Sequence, residues 1–142
     1  YAEVLLSLSE AMIEKGGYSQ AEITKYINEV RDRVGMPAVE EVEGTNLEQD
    51  ELRAIVRHER RVELAFEGHR FWDIRRWKIA EECLRPIPKA WNIEGDTPEK
   101  FYKLVDMKEN DTRIFTTPKH YWLAIPNSQL NINGQLVQNP GY

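Results

Sequence analysis

Apolar positions recur at helical spacing along the first third of the chain. Leu5, Leu8, Met12 and Ile13 fall on one face of a helix running from about Ala2, and Gly16-Gly17 is the stop signal behind them. Ser19-Gln20-Ala21-Glu22 then has the form of a capping box, in which a hydroxyl and a carboxylate satisfy the free amides of a helix start. Ile23, Ile27, Val30 and Val34 give a second helix its apolar stripe, and Gly35 followed by Pro37 ends it. Helices joined by so short a turn lie antiparallel, so the pattern predicts a helical hairpin.

The acidic stretch from Met36 to Asn46 reads as a connector. A third helix is expected from about Leu47 to Phe66, ended by Gly68, with Leu52, Ile55, Val56, Val62 and Phe66 as its buried stripe. A fourth is expected over about Arg70 to Leu84, before Pro86 and Pro88, with Trp72, Ile79 and Cys83 on one face. Beyond it the helical period is lost. Ala90 to Lys100 reads as loop, Thr112 to Thr116 and His120 to Ile125 as short strands, and Asn127 to Tyr142 as irregular. The Gly17-Tyr18-x-x-Ala21 turn resembles that of a tetratricopeptide hairpin, with the usual proline displaced to Pro37. The expected fold is mainly α: tetratricopeptide-like helical hairpins, then a loop-rich C-terminal part with short β-strands. One hairpin cannot bury its own face, so it needs a neighbouring surface.

Composition narrows the class. The chain has 142 residues, 41% hydrophobic and 30% charged, the balance of a single globular domain or part of one. Its formal charge of -5 argues against a general nucleic-acid or anionic-membrane binder, which needs a basic surface. Cys83 is the only cysteine, which excludes an intrachain disulfide. Apolar runs are too short for a membrane span or signal peptide. The chain starts at Tyr1, already in helical rhythm, so residues 1–142 are expected to be a portion of a longer protein.

Charge is concentrated where it is least expected. The stretch HERRVELAFEGHRFWDIRRW, residues 58 to 77, places Glu59 at the centre of the third helix's apolar stripe and Glu63 one turn later. Carboxylates on an apolar face need charged, hydrogen-bonding partners. Arg70, Arg75 and Arg76, brought back by the turn at Gly68, are the nearest supply. The expected arrangement is a structural clamp of Glu59 and Glu63 with Arg70 and Arg76. Two chemical readings compete with it. Carboxylates at i and i+4 lie about 6 Å apart, near glycosidase spacing, but a glycosidase acid must keep its proton, and arginines favour the ionised form. His58-Glu59 begins like the zinc-protease HExxH pattern, yet Val62 occupies the second histidine position, so no metal site is expected.

The same residues carry a family resemblance. Glu59, Arg60, Glu63, Leu64, Phe66, Glu67, Gly68, Arg70, Asp73, Arg76 and Trp77 are similar to the signature of the SusD/RagB family. Residues 113–142, RIFTTPKHYWLAIPNSQLNINGQLVQNPGY, resemble the ending of that family, and Tyr26-Ile27-Asn28-x-Val30-Arg31 in the first hairpin is similar as well. Ala124 stands where an aromatic or proline is common. The resemblance is to the C-terminal portion of such proteins. It implies a surface-exposed outer-membrane lipoprotein of Bacteroidetes-type bacteria, active in polysaccharide utilisation. Such a protein binds oligosaccharides or other nutrients and delivers them to a TonB-dependent, SusC-like transporter. The implied lipid anchor lies on an N-terminal cysteine outside this chain, not on Cys83.

No catalytic residue, cofactor or metal comes with the resemblance, and no glycan site transfers to particular positions. Sugar recognition calls for aromatic platforms beside amide or charged groups, often on loops. Trp91 and Asn92 are the first candidates and Tyr102 the second, against the plainer reading that Trp91 packs its loop onto the helices. Tyr121 and Trp122 alternate on a presumed strand, one inward and one outward. Two other classes stay open: a tetratricopeptide-like scaffold for protein partners, and a glycoside hydrolase fragment using Glu59 and Glu63.

Overall fold

The first fifteen residues contain neither proline nor glycine and set Leu5, Leu6, Met12 and Ile13 on one side. In the computed structural model, which describes residues 1–84, 88–106 and 114–142, they form helix α1 (Ala2–Lys15). Helix α2 (Gln20–Asp32) starts at the capping box: Ser19 Oγ accepts from the Glu22 amide at 3.4 Å, and the Glu22 carboxylate accepts from the Ser19 amide at 2.8 Å. Both α2 and the later helix α4 (Gln49–Glu63) pack on α1. Their core is Leu5, Leu6, Met12 and Ile13 against Ile23, Ile27 and Val30, closed by Val39, Leu52 and Val56. Ser9 is fully buried among them because its hydroxyl donates to the Ile23 carbonyl at 3.1 Å.

The connector is more ordered than its composition suggests. It contains a single turn of helix, α3 (Val39–Val42), anchored by the Val39 amide donating to Asn28 Oδ1 at 2.8 Å. Gln20 ties down the rest, its side chain donating to the Gly44 carbonyl at 2.8 Å and accepting from the Leu47 amide at 2.9 Å. These segments belong to the first of two units, Tyr1–Arg70; the second is Phe71–Tyr142.

Helix α4 is shorter than the periodicity predicts. It ends at Glu63, residues 64–68 form turns, and Phe66 takes a positive φ of 65°. A stripe read on to Phe66 therefore extends past the helix. Val62 is 60% exposed and the Phe66 side chain stands fully in solvent, while the buried positions are Leu52, Val56, Glu59 and Arg60. The expected clamp is corrected here. Glu59 accepts from Arg31 Nε at 2.9 Å and Nη2 at 2.5 Å, and both oxygens of Glu63 accept from Arg33 Nη2 at 2.8 Å. The guanidinium groups come from α2 and its C-cap, not from Arg70 and Arg76, because the end of α2 lies alongside α4. Arg76 is held by Asp73, i,i+3 on its own helix, at 2.8 Å.

The fourth predicted helix is two. Helix α5 (His69–Arg76) closes at Trp77–Ile79, where Lys78 is left-handed, and α6 (Ala80–Leu84) follows. Trp72, Ile79 and Cys83 therefore do not share one continuous face, and Trp72 is exposed. In the stretch read as loop, β1 (Lys89–Trp91) and α7 (Pro98–Phe101) form, and β1 pairs antiparallel with β2 (Leu104–Asp106). The predicted strands are absent from the described residues they cover: 114–116 have no regular structure, and a 3-10 turn (Lys119–Tyr121) opens the segment read as a strand from His120. Thr112 and Arg113, like Pro86, lie outside the described residues. Helix α8 (Asn127–Ile132) precedes a tail that folds back on residues 122–125. Gln138 bonds both the amide and the carbonyl of Ile125 at 2.8 and 2.9 Å, Asn139 donates to the Leu123 carbonyl at 2.7 Å, and Tyr142 donates to that of Trp122 at 3.2 Å. At Gly141, φ 92°, a Cβ would stand 2.9 Å from that of Lys119, so the turn needs glycine. The mainly helical fold expected from the sequence is the fold found.

Candidate functional site

The β1–β2 hairpin brings the predicted aromatic residues together. Trp91 ends β1 opposite Leu104, and the Asn92 amide extends the pairing to the Lys103 carbonyl at 3.0 Å. The chain then turns through Gly95, where a Cβ would collide with the Phe101 amide at 2.5 Å, so only glycine lets α7 pack this closely. Thr97 caps α7, its hydroxyl accepting from the Lys100 amide at 3.4 Å, and Pro98 occupies the first turn. This short capped helix delivers Phe101 and Tyr102 back beside Trp91. The Tyr102 ring meets Trp91 edge to face at 5.9 Å and Phe101 edge to face at 5.4 Å.

The result is an aromatic surface rather than an aromatic core. Trp91 is 50% exposed, Tyr102 68% and Phe101 38%. Each edge-to-face contact covers part of one ring with the edge of its neighbour, and the exposed remainder of the rings is left to solvent. Such faces can receive the C–H surface of a sugar ring, while a half-buried amide such as Asn92 beside them supplies polar contacts. The structure joins Trp91, Asn92 and Tyr102 on one hairpin. It adds Phe101, which the sequence analysis missed; the signal was an aromatic next to Tyr102, one turn after a Thr-Pro helix start. Trp122 is half-exposed and Tyr121 half-buried, in a 3-10 turn and the residue after it rather than on a strand.

Two places on the first unit offer less to a saccharide. A cavity of about 730 Å³ on the first unit, bordered by Lys25, Asn28, Glu29, Asp32 and Glu41, has no aromatic wall among the described residues. Oε1 of Glu59 and both oxygens of Glu63 accept guanidinium hydrogen bonds, the arrangement of structural ion pairs. Among the described residues, no group of three or more His, Cys, Asp or Glu is placed to hold a metal, and no helix is long and apolar enough to cross a membrane.

Known proteins share this arrangement of sequence and backbone. A model of the SusD family matches residues 1–142. SusD-like protein P2 of Formosa agariphila is 35% identical over 148 residues, spanning 100% of this chain and 25% of that protein. SusD-like protein P38 of the same organism is 35% identical over 111 residues, covering 75% of this chain and 22% of its own. Among solved structures, selenomethionine BT4246 superposes with a TM-score of 0.83 at 30% identity, over 99% of this chain and 24% of that one. A SusD-like protein (BF3747) from Bacteroides fragilis NCTC 9343 superposes with a TM-score of 0.77 at 31% identity, over 100% of this chain and 25% of that one. Residues 1–142 thus span about a quarter of the length of these relatives. With the family's sequence pattern matched from end to end and its backbone reproduced, the chain belongs to the SusD family.

Proposed function

We propose that residues 1–142 are the C-terminal part of a surface-exposed outer-membrane lipoprotein that binds oligosaccharides or related nutrients and delivers them to a TonB-dependent transporter. The lipid anchor lies outside this chain, and the protein acts as a carrier without chemistry on its ligand. Family membership supports the class of function. The observation that favours a contribution from this portion is the exposed edge-to-face pair of Trp91 and Tyr102 on a glycine- and proline-shaped hairpin. Rigid aromatic surface of this kind costs little side-chain entropy on binding.

The test is calorimetry of the full-length protein against a panel of oligosaccharides. Trp91→Ala is expected to weaken binding of the recognised glycan about tenfold, the loss of a little over 1 kcal/mol of ring contact, with an unchanged unfolding midpoint. Equal affinity in the variant would remove the hairpin from the site. Release of shorter products during incubation would overturn the carrier reading itself.

A further inference from the structure

Helix α5 ends in a Schellman motif, with the Lys78 amide donating to the Arg75 carbonyl at 3.1 Å and the Ile79 amide to the Ile74 carbonyl at 3.0 Å. The residue that must turn left-handed is Lys78, at φ 59°. Glycine adopts this conformation without steric cost and is its usual occupant, so a lysine here carries a penalty that glycine would remove. The lysine side chain has a distinct placement to set against that penalty. Its ammonium lies 5.3 Å from the Tyr121 ring centroid, at a cavity of about 380 Å³ walled by Trp72, Tyr121, Trp122, Arg75, Arg76 and Lys78 itself.

The three cations at this cavity are not equivalent. Arg75 stacks on Phe71 at 3.5 Å, donating to the Phe71 carbonyl at 2.9 Å and the His120 carbonyl at 3.2 Å. Arg76 is paired with Asp73. Lys78 has no carboxylate within ion-pair distance among the described residues. Among the described residues a positive charge thus stands without a carboxylate partner at the cavity walled by Trp72 and Trp122, each about half exposed. The volume falls within the range of small-molecule sites. Aromatic walls suit the apolar face of a sugar ring, and an ammonium at their edge suits a carboxylate on that ring.

We propose that this cavity is a second saccharide subsite, selective for an acidic sugar residue whose ring lies against Trp72 and Trp122 and whose carboxylate meets Lys78. The proposal rests on the carrier reading above and narrows its ligand to glycans that contain uronic acid.

The experiment uses the full-length protein on an immobilised panel of uronate-containing oligosaccharides, each beside its carboxyl-reduced, neutral form, with free acetate as competitor. At least one acidic member should bind about fivefold better than its reduced form at low salt, the upper range for a partly exposed ion pair, and the preference should shrink as salt rises. Lys78→Gly should abolish that preference while leaving the unfolding midpoint at or above the parent's. Lys78→Asn, which also tolerates the left-handed backbone, should do the same. Neutral members retained with no acidic preference, a preference that survives both substitutions, or one that acetate removes as well as a uronate does would overturn the subsite and leave the carrier reading standing. Failure of every glycan to bind would overturn both.

Discussion

Glu59 is 7% exposed and Arg31, which binds it through two nitrogens, is also 7% exposed. Charges so far from water are tolerated only together, and removing one strands the other. Glu59→Ala is expected to cost about 3 to 5 kcal/mol in urea denaturation. The double replacement Arg31→Met with Glu59→Leu should recover most of that loss, since an apolar pair of similar size strands nothing. A single variant as stable as the parent would show that the pair does not hold α2 to α4. Glu63 makes the contrast within one helix turn: its partner Arg33 is exposed, with 59% of its side chain in water, so Glu63→Ala should cost under about 1 kcal/mol. The sequence placed Glu59 correctly on the buried stripe and called for an arginine. It could not select Arg31, because that partner stands 28 positions away and is chosen by how helices pack, whereas Arg70 and Arg76 are merely near in the chain.

Elements whose ends are set by neighbouring residues were the readable ones. Ser19 with Glu22 marks the start of α2, and Gly16-Gly17 and Gly35 mark stops, because caps act within a few residues. The break after α5 was hidden because a lysine occupies the left-handed position, and β1 and β2 were hidden because a three-residue strand is too short to show a period. Helix α3 was hidden for a further reason: a four-residue helix is unstable alone and forms only through α2. Its Glu40 carboxylate accepts from Thr24 and, at 2.8 Å, from Asn28. Burial pushes the Glu40 carboxyl up, but the bonds from Thr24 and Asn28, joined by a backbone hydrogen bond and the charge of Arg31, together outweigh it and its pKa is lowered. A lowered folded-state pKa gives stability that is present above the ordinary glutamate value, about 4.3, and is lost as pH falls through the folded-state value. Glu40→Gln should therefore be less stable than the parent at neutral pH and converge with it in acid. Parallel urea-denaturation curves from pH 7 to 3 would refute this role.

For the molecule as a whole, the family was legible because its signature residues perform local structural tasks. Asp73 holds Arg76, and Gln138 and Asn139 fasten the tail to residues 123–125. Such tasks fix residue types at fixed spacing. Ligand choice has no such local signal, because exposed rings such as Trp91 and Tyr102 answer to no partner at a fixed spacing in the chain. Phe66 has a different consequence, for handling the protein at the bench. A bare aromatic on a left-handed turn, with Val62 exposed nearby, is an adhesive spot when residues 1–142 are produced for study. Phe66→Asn keeps the turn and removes the ring. It should raise the concentration at which light scattering first detects self-association, and an unchanged threshold would place the stickiness elsewhere. That one ring would then set how concentrated a sample of residues 1–142 can be made.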